Sequence, residues 1–165
     1  MTEKVEKNLA RAFAEESKAS ARNSAFALKA EREGYPALAR LFRAVADAES
    51  IHARRFLFLM RAKIGTTAEN LESAIQHELQ AGQEGYPPMV EEARDSSKAV
   101  KKAFTQSMQT DGEHAGLYRE AKQDMLAGKD VEYYVCQICG HIEEGFIPEN
   151  CPICNAVSGR FKRVV

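Results

Sequence analysis

The chain has no tryptophan, few aromatics and only five prolines in 165 residues. Three of the prolines, Pro36, Pro87 and Pro88, fall in the first 128 positions, leaving long stretches with nothing to break a helix. Long apolar runs are absent. The run "FLFLM" at 56–60 is far too short to cross a bilayer, so no membrane association is expected. Charge of one sign is also missing, with Lys+Arg 23 against Asp+Glu 24 and a net charge of −1. A nucleic-acid binder carries a basic stripe, and that class is set aside. The start "MTEKVEKN" lacks the apolar core of a secretion signal, which points to the cytoplasm. Thiols stay reduced there, so the four clustered cysteines are metal ligands before they are disulfides.

Composition changes along the chain. Ala, Glu, Lys, Arg and Gln dominate to about residue 127 and favour helix. After "MLAGKD", with Gly128 suited to a helix C-terminus, come Val131, Tyr133, Tyr134 and Val135, then cysteines, prolines and glycines. The expected division is a helical domain over 1–128 and a small β and loop module over 129–165. The module is too short to be stable on its own core, and a bound metal would make up the deficit. In the first part, "GYP" at 34–36 separates two helices and "KIGTT" at 63–67 precedes a third starting near Ala68. Gly85 and Pro87-Pro88 should kink that third helix, and Ser96 or Ser97 should cap a fourth.

Each helix has an apolar stripe with ionisable residues at its middle. The stripes are Leu9, Phe13, Glu16, Ser20, Asn23, Ala27; Leu38, Leu41, Val45, Glu49, His52, Phe56, Leu59; Leu71, Ile75, Glu78, Ala81; and Val100, Phe104, Ser107, Asp111, His114, Tyr118, Ala121, Met125. A hidden repeat relates them. Glu16 to Glu78, Glu49 to Asp111 and His52 to His114 each move 62 positions, as does Phe42 to Phe104. The visible repeat "EGYP" at 33–36 and 84–87 has a different offset and is incidental.

Carboxylate-x-x-His places both groups on one helix face. Four inward carboxylates and two imidazoles cannot stay buried unpaired, and two divalent irons would neutralise them. Mixed oxygen and imidazole donors suit iron or manganese, and this is the ligand set of ferritin-like di-iron carboxylate bundles. One such motif is a weak signal, since exposed acids are common. Two matched copies on apolar stripes are a strong one. His77, beside Glu78, should point to the surface or an outer layer, and His141 should face solvent.

"CQICG" at 136–140 and "CPICN" at 151–155 put Cys136, Cys139, Cys151 and Cys154 in two knuckles, which make a tetrahedral four-sulfur site. Zinc would make the module structural, iron a one-electron carrier; spacing alone leaves both open. Gly140 and Asn155 follow the knuckles and suit left-handed backbone that aims N–H groups at sulfur.

The segments "AFAEES", "AESIH", "EGYP" at 84–87 and "CQICGHIEEGFIPENCPIC" resemble the rubrerythrin family over nearly the whole chain. The resemblance implies an all-α ferritin-like four-helix bundle followed by a small rubredoxin-like metal-binding domain. It implies a non-haem di-iron peroxidase that reduces hydrogen peroxide to water. Electrons would come from an NAD(P)H-dependent rubredoxin reductase-type donor through the cysteine-bound iron. By position, Glu16, Glu49, His52, Glu78, Asp111 and His114 match di-iron ligands, and the four cysteines match ligands of a single iron, for which zinc is a substitute. Tyr86 matches a tyrosine near the site, an outer-layer catalytic candidate. The chain departs at Ala81, where the family usually has a second glutamate, at Asn23 in place of tyrosine, and at Asp111 in place of glutamate. Those departures keep a ferroxidase, iron-handling or oxygen-reducing protein as the alternative; with zinc at the four sulfurs, a zinc-ribbon binding module on a structural bundle is a third.

Helix length bears on assembly. If the second helix runs from His52 to Lys63 and the third from Ala68 to Glu78, a parallel passage past one site needs a link of about 30 Å. Four residues reach only about 14 Å. Either the bundle runs up-down-up-down, or a homodimer exchanges helical hairpins, which the resemblance favours. One local puzzle remains. "TDGEH" at 110–114 contains the turn signal Asp-Gly, yet the repeat requires helix there.

Overall fold

A computed structural model describes residues 1–124 and 130–165. It forms two compact units, Met1–Gly65 and Thr66–Val165. The expected boundary at 128 and the stripe residue Met125 lie outside the described residues.

The first unit is a helical hairpin of α1 (Glu3–Arg32) and α2 (Pro36–Leu59). Acids in the first turn of α1 and bases in its last complement the helix dipole. The helix ends where the Tyr35 N–H donates to Ala30 and the Gly34 N–H to Glu31, with Gly34 at φ +81. That left-handed closure favours glycine. Pro36 then opens α2 at its first turn, where a missing N–H costs nothing. Alanine forms the seam: Ala27 and Ala30 on α1, and Ala39, Ala46 and Ala53 at seven-residue intervals on α2, are buried. Small side chains let the backbones approach closely enough for Ser20 Oγ to donate to the Ala46 carbonyl at 2.9 Å. Phe26 and Phe42 meet edge to face at 5.5 Å. Leu38, Leu41 and Leu59, expected in the core stripe, are instead exposed in this hairpin.

α2 stops at Leu59 and not at Lys63, because Met60 turns to an extended conformation and Ala62 takes φ +52. α3 begins at Thr67, one residue earlier than expected. The link is therefore residues 60–66, and the length argument for hairpin exchange loses its force.

In the second unit, α3 (Thr67–Gln80) opens with a reciprocal cap between Thr66 and Glu69. A π-turn (Ala81–Gly85) leads into α4 (Tyr86–Glu92). Pro87 and Pro88 lack the N–H groups that an unbroken α-helix would use there, and the Tyr86 N–H donates back to Ala81 across the wider turn. The expected break is thus a π-turn. α5 (Lys98–Asp124) is capped by Ser97, whose Oγ accepts from the Val100 N–H. Asp111 and Gly112 lie inside α5, so the helix expected from the repeat prevails over the local turn signal. Ile75, Ala93, Thr110 and Ala115 are buried here.

The cysteine module is a three-stranded antiparallel sheet in the order β2-β1-β3, with β1 Tyr133–Cys136, β2 Ile142–Glu144 and β3 Phe161–Arg163. Glu132 ties β1 to β3 through Arg163 and accepts from the Tyr134 hydroxyl at 2.6 Å. His141 corrects the expectation that it faces solvent: it is 6% exposed and packs edge-on to Phe161.

Candidate metal centres

Three ligand clusters stand out among the described residues: Glu16, Glu49 and His52; Glu78, Asp111 and His114; and the four cysteines. In each, the donor atoms lie within 4.8 Å of one another. These groups hold ten of the expected site residues, and each helical triad forms within one compact unit. The carboxylate-x-x-His pair comes from one helix, because residues three apart share a face, and the paired helix supplies the remaining carboxylate.

In the first triad His52 Nδ1 lies 3.2 Å from Glu49 Oε2 and 3.7 Å from Glu16 Oε2. A hydrogen bond with Glu49 raises the Glu16 carboxyl above its ordinary value, and the same bond lowers Glu49. The His52 side chain is 48% exposed, so this triad is open.

The second triad is less open. His114 Nδ1 lies 3.8 Å from Glu78 Oε1 and 3.9 Å from Asp111 Oδ1, with the His114 side chain 19% exposed. Burial, then the nearby Asp111 charge, pushes the Glu78 carboxyl up; burial does the same to Asp111. His114 Nε2 lies 3.1 Å from the Gly140 carbonyl. A carbonyl only accepts, so Nε2 donates to it, and Nδ1 is the ring nitrogen that faces Glu78 and Asp111. Sequence reasoning had no signal for this partner, which comes from 26 residues away.

The donor chemistry fits iron. Two carboxylates and one imidazole in each triad are hard to intermediate donors of the kind that suit iron. The cysteines form a closed four-sulfur set, Cys136 and Cys151 buried and Cys139 and Cys154 half-buried. Gly140 at φ +84 and Asn155 at φ +62 take the expected left-handed backbone. Backbone N–H groups of Ile138 and Cys139 point at the Cys136 sulfur, that of His141 at Cys139, and that of Ala156 at Cys154. Burial raises the Cys136 thiol, but these N–H groups and the neighbouring sulfurs outweigh it and bring it to about 7. Burial prevails at Cys139, whose thiol is strongly raised. Four thiols so crowded cannot all ionise without a cation, which is the condition a bound metal meets.

His77 is exposed, as expected for a neighbour of Glu78 on another face. Tyr86 is half-buried at the start of α4, and Ala81 opens the π-turn, offering no carboxylate. The sequence reading missed a group beside the sites: His141 Nδ1 lies 2.6 Å from Glu113 Oε2 and Nε2 3.0 Å from Glu143 Oε1. Burial lowers the affinity of His141 for a proton, but the two carboxylates outweigh it and the net effect is upward.

Comparison with known proteins agrees over both parts. The family model described as rubrerythrin matches residues 7–122, and that described as the rubredoxin-like domain of rubrerythrin matches residues 134–162. Nigerythrin of Nitratidesulfovibrio vulgaris is 35% identical over 89% of this chain and 80% of its own. Rubrerythrin-2 of Clostridium acetobutylicum is 30% identical over 92% and 91%. The solved structure "Partially Reduced State of Nigerythrin" matches with a TM-score of 0.58 at 30% identity, covering 96% of this chain and 86% of that one. "Fully reduced state of nigerythrin (all ferrous)" matches equally well at 31% identity. The helical ferritin-like part followed by a rubredoxin-like module is therefore the architecture of this chain.

Proposed function

The chain belongs to the rubrerythrin family, and from that premise we propose that it is a non-haem di-iron peroxidase that reduces hydrogen peroxide to water. A carboxylate di-iron site and a four-cysteine iron site are the family's cofactors, and the donor sets above fit both. The observation that carries the reading is the pair of matched triads accompanied by a complete four-sulfur set. Glu16, Glu49, His52, Glu78, Asp111 and His114 would hold two irons; Cys136, Cys139, Cys151 and Cys154 would hold one. When bound, the iron pair supplies the two electrons that split the O–O bond.

The chain's own residues prepare that chemistry. Four carboxylates balance the charge of two divalent ions and leave the site close to neutral. His114 is held in one tautomer by the Gly140 carbonyl, which fixes Nδ1 as the ligating nitrogen. The N–H groups at the cysteine sulfurs stabilise thiolate charge and tune the single iron's potential. Tyr86 is proposed as an outer-layer group holding a proton for the reaction. The proposed electron source is a reductase of the NAD(P)H-dependent rubredoxin reductase type. The division into 1–128 and 129–165, a cytoplasmic location and a homodimer that exchanges hairpins belong to the same proposal. Leu38, Leu41 and Leu59, exposed along one stripe of α2, support assembly, since an apolar stripe left open is one that another helix can cover. Sedimentation showing an iron-loaded monomer at nanomolar concentration would defeat the homodimer.

Ala81 favours a second reading, a ferroxidase or oxygen-reducing protein, because the usual extra carboxylate is missing and His52 would then keep its iron in both redox states. Anaerobic stopped-flow separates the two. The peroxidase reading expects reduced protein to react faster with hydrogen peroxide than with oxygen; equal or slower reaction with peroxide would assign it to the second.

A further inference from the structure

The trio Glu113, His141 and Glu143 belongs to no ligand cluster, yet it lies where α5 meets the cysteine module. His141 is almost fully buried, with a carboxylate at each ring nitrogen: Glu113 of α5 at 2.6 Å and Glu143 of β2 at 3.0 Å. Ionised carboxylates only accept, so the ring donates from both sides and joins a helix to a strand. The neighbouring residues make a second contact. Gly140, just before His141, accepts from His114 Nε2 at 3.1 Å, and His114 follows Glu113 on α5. Glu113-His114 and Gly140-His141 therefore meet as two adjacent pairs. Gly140 also follows Cys139 directly, and its N–H donates to the Cys136 carbonyl at 3.0 Å.

We propose that His141, gripped by Glu113 and Glu143, is a positioning residue that locks the cysteine module onto α5 and holds the Gly140 carbonyl on His114. The lock creates a link within one chain, running from Cys139 through its peptide bond to Gly140 and across one hydrogen bond to His114. It rests on the iron assignment made above. With iron in both sites, the link would serve the passage of one electron from the thiolate-bound ion to the pair, one ion oxidised and one reduced, with no covalent bond formed or broken. A buried ion cluster that only stabilises the module would leave this transfer unchanged whenever the module folds.

The test uses the full-length protein and three variants: Glu113→Ala, Glu113→Gln and His141→Ala. Glu113 is 41% exposed on α5, so its removal does not depend on the module tolerating a buried change. In iron-loaded protein, flash reduction of the thiolate iron reports transfer to the pair, while iron content and the thiolate visible spectrum report integrity. In zinc-substituted protein, ring nitrogen resonances report the His114 tautomer. Glu113→Ala should slow transfer about 10- to 100-fold, the usual cost of losing an outer partner. Iron content and the visible spectrum should stay unchanged, and the protected Nε2–H of His114 should be lost. Glu113→Gln retains an acceptor oxygen and should stay near wild type, and His141→Ala, where it folds, should match Glu113→Ala. Wild-type transfer in Glu113→Ala, or an unchanged His114 signal, overturns the proposal. If wild-type protein binds no iron pair, the peroxidase reading fails and the zinc-form ring signals still decide the lock.

Discussion

The two triads share one ligand pattern but sit in different surroundings. In the α1–α2 hairpin, His52 is half exposed, and among the described residues its Nδ1 lies at hydrogen-bond distance from Glu49 and at ion-pair distance from Glu16, both of its own triad. In the second unit, His114 is mostly covered, and a carbonyl from the cysteine module holds its far nitrogen. The hairpins differ as well. α1 and α2 are uninterrupted and join along small alanines, while α3 passes through a π-turn three residues beyond Glu78. The repeat thus preserves the donors and leaves their support to diverge. Among the described residues, the second triad alone is hydrogen-bonded to the module that carries the cysteines, through His114 and the Gly140 carbonyl.

The largest effect should come from the four-sulfur set. Cys151→Ala removes a buried ligand from a module too small to stand without metal. Loss of the module's iron absorption, with the helical CD signal retained, is expected. Next come the two histidines. His52→Ala and His114→Ala should each lower iron-pair affinity by at least the roughly 10- to 100-fold that an outer partner is worth. Only His114→Ala should also perturb the visible spectrum of the thiolate iron; equal perturbation by both would erase the contrast drawn here. Ala39→Leu forces a larger side chain into the closed hairpin seam and should cost about 1–3 kcal/mol by urea denaturation. The smallest effect is in the opposite direction. A Cβ on Gly112 would meet nothing within 4 Å, so Gly112→Ala should stabilise α5 by about 1 kcal/mol. Poorer iron loading in Gly112→Ala, measured as iron stoichiometry, would show that Gly112 serves the reach of Asp111 toward its iron.

Much of this was legible in the sequence because metal chemistry demands particular donors at helical spacing. The shared offset of Glu16, Glu49 and His52 from Glu78, Asp111 and His114 was enough to group them, and the structure brings each set within 4.8 Å. The same repeat placed Asp111-Gly112 in a helix against its local turn propensity. Other features arise from tertiary contact and left no local trace. His141 is buried by Glu113, a partner 28 residues away. α2 ends at Leu59 although "RAK" favours helix, because Arg61 turns to donate its N–H to Glu6 at 3.3 Å, 55 residues back. Pro87-Pro88 announced a break, but not its form, a π-turn over Ala81–Gly85 in which the Tyr86 N–H donates to the Ala81 carbonyl.

The most direct test is metal analysis of anaerobically reconstituted protein beside its Glu78→Ala variant. Three irons per chain are expected in the wild type, with the variant losing the pair while its thiolate absorption persists. A single metal bound only by the cysteines, with Glu78→Ala indistinguishable from wild type, would contradict the proposal that the triads hold iron.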